Sequence, residues 1–195
     1  MPQKITPRQR QDKLASFTYT DLLTGRSYIR YYAGKGRSQH IINGNSFYSD
    51  SITTTYFKSS SEETIDFDSP VTSTFVIDGS AIISATLELS GTPQTTMSGA
   101  IIRVRDGIET ELGTARLITR YATDGSKRAT EAVDLAKTRF RNGDILRLRT
   151  TVTTNDPGGA PTAILYHSPK NRTAGLSDTA TGGILEAFVP FNVNI

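Results

Sequence analysis

The sequence predicts an all-β chain, an antiparallel β-sandwich of the jelly-roll kind with an extended N-terminal arm. From residue 64 onward, short β-branched and apolar runs alternate with turn signals, which is the spacing typical of a sandwich or barrel. Five Asn-Gly or Asp-Gly pairs supply residues that tolerate the positive φ of tight hairpins and bulges. Because the chain has no cysteine, packing and strand pairing must hold this fold together.

The first segment, residues 1–16, is predicted to be an extended basic arm, because it has two prolines and too few apolar residues to join a core. Residues 1–50 hold eight Lys or Arg residues against three acidic ones, whereas the rest of the chain holds fourteen against sixteen. We expect the arm to contact a phosphate or an acidic neighbouring protein surface, with a frayed tail as the alternative. Its cations are Lys4, Arg8, Arg10 and Lys13.

The second segment, residues 17–63, is predicted to hold a β-hairpin and a connecting stretch. The runs 17–23 and 27–34 are rich in β-branched and aromatic residues, and Gly25 lies between them. Tyrosine together with arginine is the composition of a protein interaction surface. The candidate interaction residues are Arg26, Tyr28, Arg30, Tyr31, Tyr32 and Arg37.

The third segment, residues 64–195, is predicted to form the sandwich domain. Within 81–90, the period of two places alternate residues from Ile83 to Leu89 on a core face and alternate residues from Ile82 to Glu88 on a solvent face. Residues 126–140 suit a helix or a strand, and the alternation there favours a strand that ends in one short turn.

Two further strands are predicted to carry paired arginines on their outer faces. In residues 100–105, the alternation predicts that residues 100, 102 and 104 face the core. In residues 144–152, it predicts that the leucines face the core. We expect cross-strand ion pairs with acids such as Glu88 and Glu109 rather than direct contact with nucleic acid. The outward arginines are predicted to be Arg103, Arg105, Arg147 and Arg149.

One acidic cluster is open to two interpretations. Its carboxylates could hold calcium, as oxygens do in some β-sandwich modules, or form the solvated entry to a strand. The second is favoured, because the order Asp-Phe-Asp places Phe67 inward and both aspartates outward. The cluster consists of Glu62, Glu63, Asp66 and Asp68.

Signatures of enzyme chemistry are absent from the sequence, so we expect a chain that is not an enzyme and has no cofactor or metal. His40 and His167 each lack a second histidine or a carboxylate at ligand spacing. The basic stretch at 34–38 lacks the strand-to-helix context of a phosphate-binding loop. No apolar run has the length of a membrane span or the form of a signal peptide, so we expect synthesis in the cytoplasm and no membrane partner.

Three stretches resemble a group of β-sandwich proteins encoded by tailed phages and environmental viruses. They are "YTDLLTGRSYIRYYAG", "FVIDGSAIISATLELSG" and "FRNGDILRLRTTVTTNDPGGAPTAILYHSPKNR". The resemblance covers most of residues 17–175 and implies a virion protein without catalytic residues, such as a capsid decoration, cement or spike component.

Two functions are therefore weighed. The first is a structural protein of a phage particle, made in the host cytoplasm, which binds the major capsid protein or other virion proteins and forms a dimer or trimer. The second is a carbohydrate-binding sandwich that presents exposed tyrosines, including Tyr31. A hydrolase is the least supported class, because no acid, base and nucleophile can be nominated.

Overall fold

The computed structural model describes residues 26–35, 39–44, 53–57, 61–90, 94–121, 125–155, 162–167 and 185–192. These residues form eleven strands and no helix, so the all-β prediction is confirmed, and this part of the chain holds no helix that could cross a membrane. The strands are β1 Arg26–Lys35, β2 His40–Asn43, β3 Thr53–Phe57, β4 Ser61–Pro70, β5 Phe75–Ser90, β6 Gln94–Arg105, β7 Ile108–Tyr121, β8 Gly125–Phe140, β9 Ile145–Asn155, β10 Thr162–His167 and β11 Leu185–Asn192. The arm and the run 17–23 lie outside the described residues.

One curled sheet contains these strands. Its order is β3-β10-β5-β11-β1-β2-β4-β9-β6-β7, and β8 pairs with the second edge of β5. Among the described pairings, a single bridge between Ile41 and Asp68 is parallel and the others are antiparallel. Strands from segment 17–63 pair with strands from segment 64–195, and Ala33 and Ile42 belong to the common core. The two segments therefore share one sheet.

The inner face of the curled sheet carries the core. The predicted alternation in β5 is correct there, because Ile83, Ala85, Leu87 and Leu89 are all buried in it. Leucines of β9 also lie inward, at Leu146 and Leu148. Burying these side chains removes apolar surface from water, which is the main favourable term in folding. The outer side of β5 differs from the prediction, because Ser84 and Thr86 are buried as well.

The prediction for β6 is wrong about which face each residue occupies. Ile101 pairs with Leu148 and lies in the core, so Ala100, Ile102 and Val104 lie on the outer face. Residues 100–102 are all apolar, so the sequence allows either Ile101 or its two neighbours to face the core. Only the register with β9 decides between these alternatives.

The arginines of β6 consequently lie on the core side, at the end of the sheet. Arg103 pairs in register with Leu146. Arg105 donates two hydrogen bonds to the buried carboxylate of Asp144, from Nε at 2.8 Å and from Nη2 at 2.6 Å. These bonds lower the pKa of Asp144 to about 2.

Two of the predicted turn pairs have different roles. Asp106 and Gly107 connect β6 to β7 in a hairpin, as the sequence predicted. Gly79, in contrast, lies inside β5 with a φ of 121°, where the register with β8 shifts between Ile77 and Gly79. Because glycine tolerates this backbone conformation, residues 75–77 and the run 81–90 join in one strand of 16 residues with a bulge.

The strand prediction for residues 126–140 is confirmed, and β8 runs to Phe140 without a separate turn. β7 and β8, which do not pair, approach closely where the sheet curls. A Cβ atom at Gly113 would lie 2.6 Å from the carbonyl oxygen of Asp134 and 2.9 Å from a methyl group of Val133. The absence of a side chain at Gly113 therefore allows this contact.

Gly113→Ala is expected to lower the free energy of unfolding by about 1 to 3 kcal/mol, because the added methyl group must push backbone atoms apart. Gly44→Ala is the matched control, since its added Cβ meets its nearest atom at 3.7 Å. Urea unfolding of both variants measures the difference. Equal midpoints for the two variants would contradict the close approach of β7 to β8.

Candidate interaction surface

The structure places only part of the predicted interaction set. Lys4, Arg8, Arg10, Lys13 and Arg37 lie outside the described residues, and Arg26 is described only by its backbone in β1. Tyr28, Arg30 and Tyr32 alternate along β1 and share its outer face, opposite Ala33, which is buried in the core.

Tyr31 lies on the inner face of β1, not on the surface with its neighbours. It packs against the hydrophobic core, and burial raises its pKa to about 12. Tyr31 is therefore unavailable as an exposed ring for a sugar. Tyr166 also has a partner, since its hydroxyl donates a hydrogen bond to Glu88.

The outer faces of β1, β11, β5 and β8 form one continuous surface, which we name the tyrosine-arginine face. Cross-strand pairs align its side chains in rows, because directly opposite residues lie on the same side of a sheet. One row runs through Arg30, Phe188, Ile82 and Ala132. The described residues of the face include Tyr28, Arg30, Tyr32, Ser80, Ile82, Ser84, Thr86, Glu88, Arg128, Thr130, Ala132, Asp134, Glu186, Phe188 and Pro190.

A buried carboxylate lies at the centre of this face. Glu186 is 1% exposed, and Arg30 donates to its Oε2 from Nε at 2.7 Å. From β8, Arg128 donates to its Oε1 at 3.1 Å and to Ser84 Oγ at 3.0 Å. Charge-assisted hydrogen bonds of this kind offset the cost of removing a carboxylate from water.

The arginines also contact aromatic rings. The guanidinium carbon of Arg30 lies 4.6 Å from the ring centre of Tyr32 and 5.2 Å from that of Phe188. Cation-π contacts at these distances add to the hydrogen bonds that hold the side chain. Arg30 is thus held by a carboxylate and two rings, so its position on the face is set before any partner binds.

Exposed apolar side chains lie beside these charged groups. Tyr28 is 58% exposed and Ile82 is 39% exposed, and Phe188 between them is half-buried. Large apolar side chains that stay exposed next to fixed polar groups are typical of protein contact surfaces.

The sequence did not identify Glu186, Phe188, Ile82 or Arg128 as part of this surface. One sequence feature could have indicated it, namely the glutamate inside the otherwise apolar run "LEAFVPF", because a buried acid needs a charged or hydrogen-bonding partner. Its arginine partners come from strands far away in the sequence, which no local pattern shows.

The predicted arginine pair of β9 lies on a second outer surface. Arg147 and Arg149 pair in register with Asp68 and Asp66. Arg147 donates to both carboxylate oxygens of Asp68 at 2.7 and 2.8 Å, and Arg149 donates to both of Asp66 at 2.6 and 2.8 Å. Glu109 accepts a hydrogen bond from Arg149 at 2.9 Å, which agrees with the predicted ion pair between Glu109 and an outward arginine.

These ion pairs bear on the calcium interpretation. Burial raises the pKa of Asp66, but the hydrogen bond from Arg149 and the charges of Arg147 and Arg149 outweigh that effect, so its pKa lies below the usual value. The carboxylates of Asp66 and Asp68 are thus engaged with arginines. No group of three or more His, Cys, Asp or Glu side chains within the described ranges is arranged to hold a metal ion.

The two histidines lie together in the fold. The ring centres of His40 and His167 are 5.4 Å apart, and Phe67 contacts both, at 5.1 and 5.4 Å. His167 is fully buried, whereas His40 is half-exposed. Because β2 and β10 are distant in the sequence, spacing alone did not indicate this contact.

No protein-family model and no curated protein sequence matches the chain. Among solved structures, a CocE/NonD family hydrolase from Staphylococcus aureus is similar with a TM-score of 0.60 and 9% identity, over 86% of this chain and 37% of that one. An aminopeptidase from a marine sediment archaeon, Thaumarchaeota archaeon, has a TM-score of 0.61 and 8% identity, over 87% and 37%. An α-amino acid ester hydrolase has a TM-score of 0.57 and 10% identity, over 83% and 36%.

These similarities establish a shared fold. The chain spans little more than a third of the length of each of these three proteins. The sequence predicted a chain that is not an enzyme, and that prediction is wrong, because these solved chains with the same fold are hydrolases and an aminopeptidase. The missing catalytic signature was therefore insufficient to exclude enzymes.

Glu186→Gln is expected to lower the free energy of unfolding by about 2 kcal/mol. This is less than the cost of breaking a fully buried pair, since both guanidinium groups reach solvent. Glu63→Gln is the control, because Glu63 is exposed. Thermal unfolding at neutral pH compares the two variants, and an equal melting temperature would contradict the role of Glu186.

Proposed function

We propose that this chain is an assembly subunit of a phage or virus particle, acting as a capsid decoration, cement or minor virion protein. In this proposal it forms an antiparallel, jelly-roll-like β-sandwich whose N-terminal arm attaches it to neighbouring subunits. The resemblance of three of its stretches to virion β-sandwich proteins supports this context.

The observation that carries the proposal is the tyrosine-arginine face. Tyr28 and Ile82 are exposed on the outer side of four paired strands, beside an arginine held by a buried carboxylate. Tyrosine and arginine are enriched where proteins bind one another, and rigid side chains lose little entropy on binding. A surface of this kind suits contact with another folded protein.

The basic arm supplies a second contact. Lys4, Arg8, Arg10 and Lys13 carry four positive charges in a segment with few apolar residues. Such a segment can lie along an acidic surface of a neighbouring subunit, where charge attraction speeds the encounter and sets the orientation.

Co-sedimentation with shells of the major capsid protein from the same genome tests this proposal. The full chain is expected to sediment with the shells. Replacing Lys4, Arg8, Arg10 and Lys13 together by Gln is expected to reduce the bound fraction by about tenfold at low salt, because charge attraction is lost.

Ile108→Asp is the control for that experiment. Ile108 is 70% exposed at the β6-β7 hairpin, and neither of these strands belongs to the tyrosine-arginine face. This variant should bind the shells as the unchanged chain does. An unchanged chain that stays in the supernatant would overturn the proposal, and full binding by the Gln variant would remove the arm from it.

A second candidate is participation in ester or peptide hydrolysis, favoured by the fold that the chain shares with three such enzymes. In this candidate the chain is one part of a hydrolase. Within the described residues, the pair of His40 and His167 offers the imidazole that a general base requires, and His40 is the half-exposed member.

Release of p-nitrophenol from an amino acid p-nitrophenyl ester tests this candidate. A rate above that of buffer, reduced about 100-fold by His40→Gln, is the expected result if His40 is the base. Glu63→Gln is the control and should leave the rate unchanged. A wild-type rate equal to that of buffer would contradict hydrolysis by this chain.

A further inference from the structure

We infer that the tyrosine-arginine face is a twofold interface, with a second copy of this chain as its partner. The inference deepens the proposed assembly function and rests on it, since it names the partner of one surface. The juxtaposition that carries it is an apolar centre flanked by donors on β1 and by an acceptor on β8.

The rows of the face show this arrangement across the four strands. Phe188 and Ile82 pair in register at the centre of one row, with Arg30 at the β1 end. Beside this row, Tyr28 lies at the β1 edge, and Asp134 lies opposite Ser80 at the β8 edge. In these two rows, donors lie on the β1 side, apolar groups in the middle and a carboxylate on the β8 side, while Arg128 lies further along β8, opposite Thr86.

A surface with this order is complementary to itself. A twofold axis that runs along the strands between β11 and β5 places Phe188 against Ile82 of the partner subunit. The same rotation brings Tyr28 and Arg30 over the β8 edge of the second copy, where Asp134 lies. An isologous contact of this kind repeats each favourable pair twice.

The charges on the face also favour a second copy over a strongly acidic or basic partner. Its described residues include the arginines Arg30 and Arg128 and the carboxylates Glu88 and Asp134, and Glu186 is buried between the two arginines. A partner with a large charge of one sign would bring like charges together somewhere on this surface. A second copy presents charges of both signs.

Asp134 retains capacity for such a contact. Its Oδ1 accepts a hydrogen bond from Ser80, and an ionised carboxylate offers about four acceptor positions. The residue is exposed, as are Tyr28 and Ile82. Three of the groups that would meet across the axis are thus exposed in the isolated chain, and Arg30 and Phe188 are half-buried.

The absence of cysteine from the chain allows a direct test by cross-linking. Ile82→Cys introduces a single thiol, and facing sheets pack about 10 Å apart, within reach of a short bismaleimide. Ile108→Cys is the matched control, because Ile108 is more exposed than Ile82 but lies off the face. We expect a cross-linked dimer at least tenfold more abundant with Ile82→Cys than with Ile108→Cys.

Adding Asp134→Lys to Ile82→Cys is expected to reduce that dimer at least fivefold, because like charges then face each other across the axis. Sedimentation velocity of the unsubstituted chain should show a dimer. Ile82→Asp should convert this dimer to a monomer, whereas Ile108→Asp should leave it intact. Equal cross-linking at positions 82 and 108, or a monomer in the unsubstituted chain, would overturn the inference.

The binding of capsid shells separates this inference from the proposed function. A monomeric chain that still sediments with the shells overturns the twofold interface and leaves the assembly function in place. A stable dimer that does not bind the shells overturns the assembly function and leaves the interface in place.

Discussion

The pairing of β5 along both of its edges is the constraint on which the tyrosine-arginine face and much of the core depend. β8 follows one edge from Phe75 to Leu89, while β11 and β10 divide the other edge between them. Because side chains alternate, the same strand supplies the core on one side and the centre of the face on the other. Gly79 allows this strand to continue through a bulge instead of ending at a turn.

Arginine is the means by which this fold accommodates buried or half-buried acids. Glu186, Asp144, Asp66 and Asp68 each accept hydrogen bonds from arginines of other strands. Removing one partner from such a pair leaves a desolvated charge, so each pair holds its strands in one register. On the tyrosine-arginine face, this arrangement holds Arg30 against Tyr32 and Phe188.

The shared fold and the surface address different questions. Three solved hydrolases or peptidases carry this fold over about a third of their length, at 8 to 10% identity. A fold hosts many functions, so the function has to be argued from the surfaces and sites built on it. The proposal of an assembly function is argued from Tyr28 and Ile82, which are exposed beside Arg30. The proposal of hydrolysis is argued from the contact of His40 with His167.

Local sequence patterns determined the all-β class, the inward residues of β5 and β9, and the hairpin at Asp106 and Gly107. Alternation and turn chemistry are properties of neighbouring residues, so the sequence alone displays them. Where neighbours were ambiguous, as at Ile101 and Ile102, the pattern predicted the wrong face. Only pairing with Leu148 resolved it.

The candidate surface was decided by the tertiary structure. Alternation along β1 separates Tyr31 from Tyr28 only once the core side of that strand is known, and composition did not reveal it. Glu186 meets Arg30 and Arg128 because β11 lies between β1 and β5, and β5 lies between β11 and β8. Such contacts depend on the order and register of strands far apart in the chain. Non-local pairing sets that order, and a single sequence carries no local signal of it.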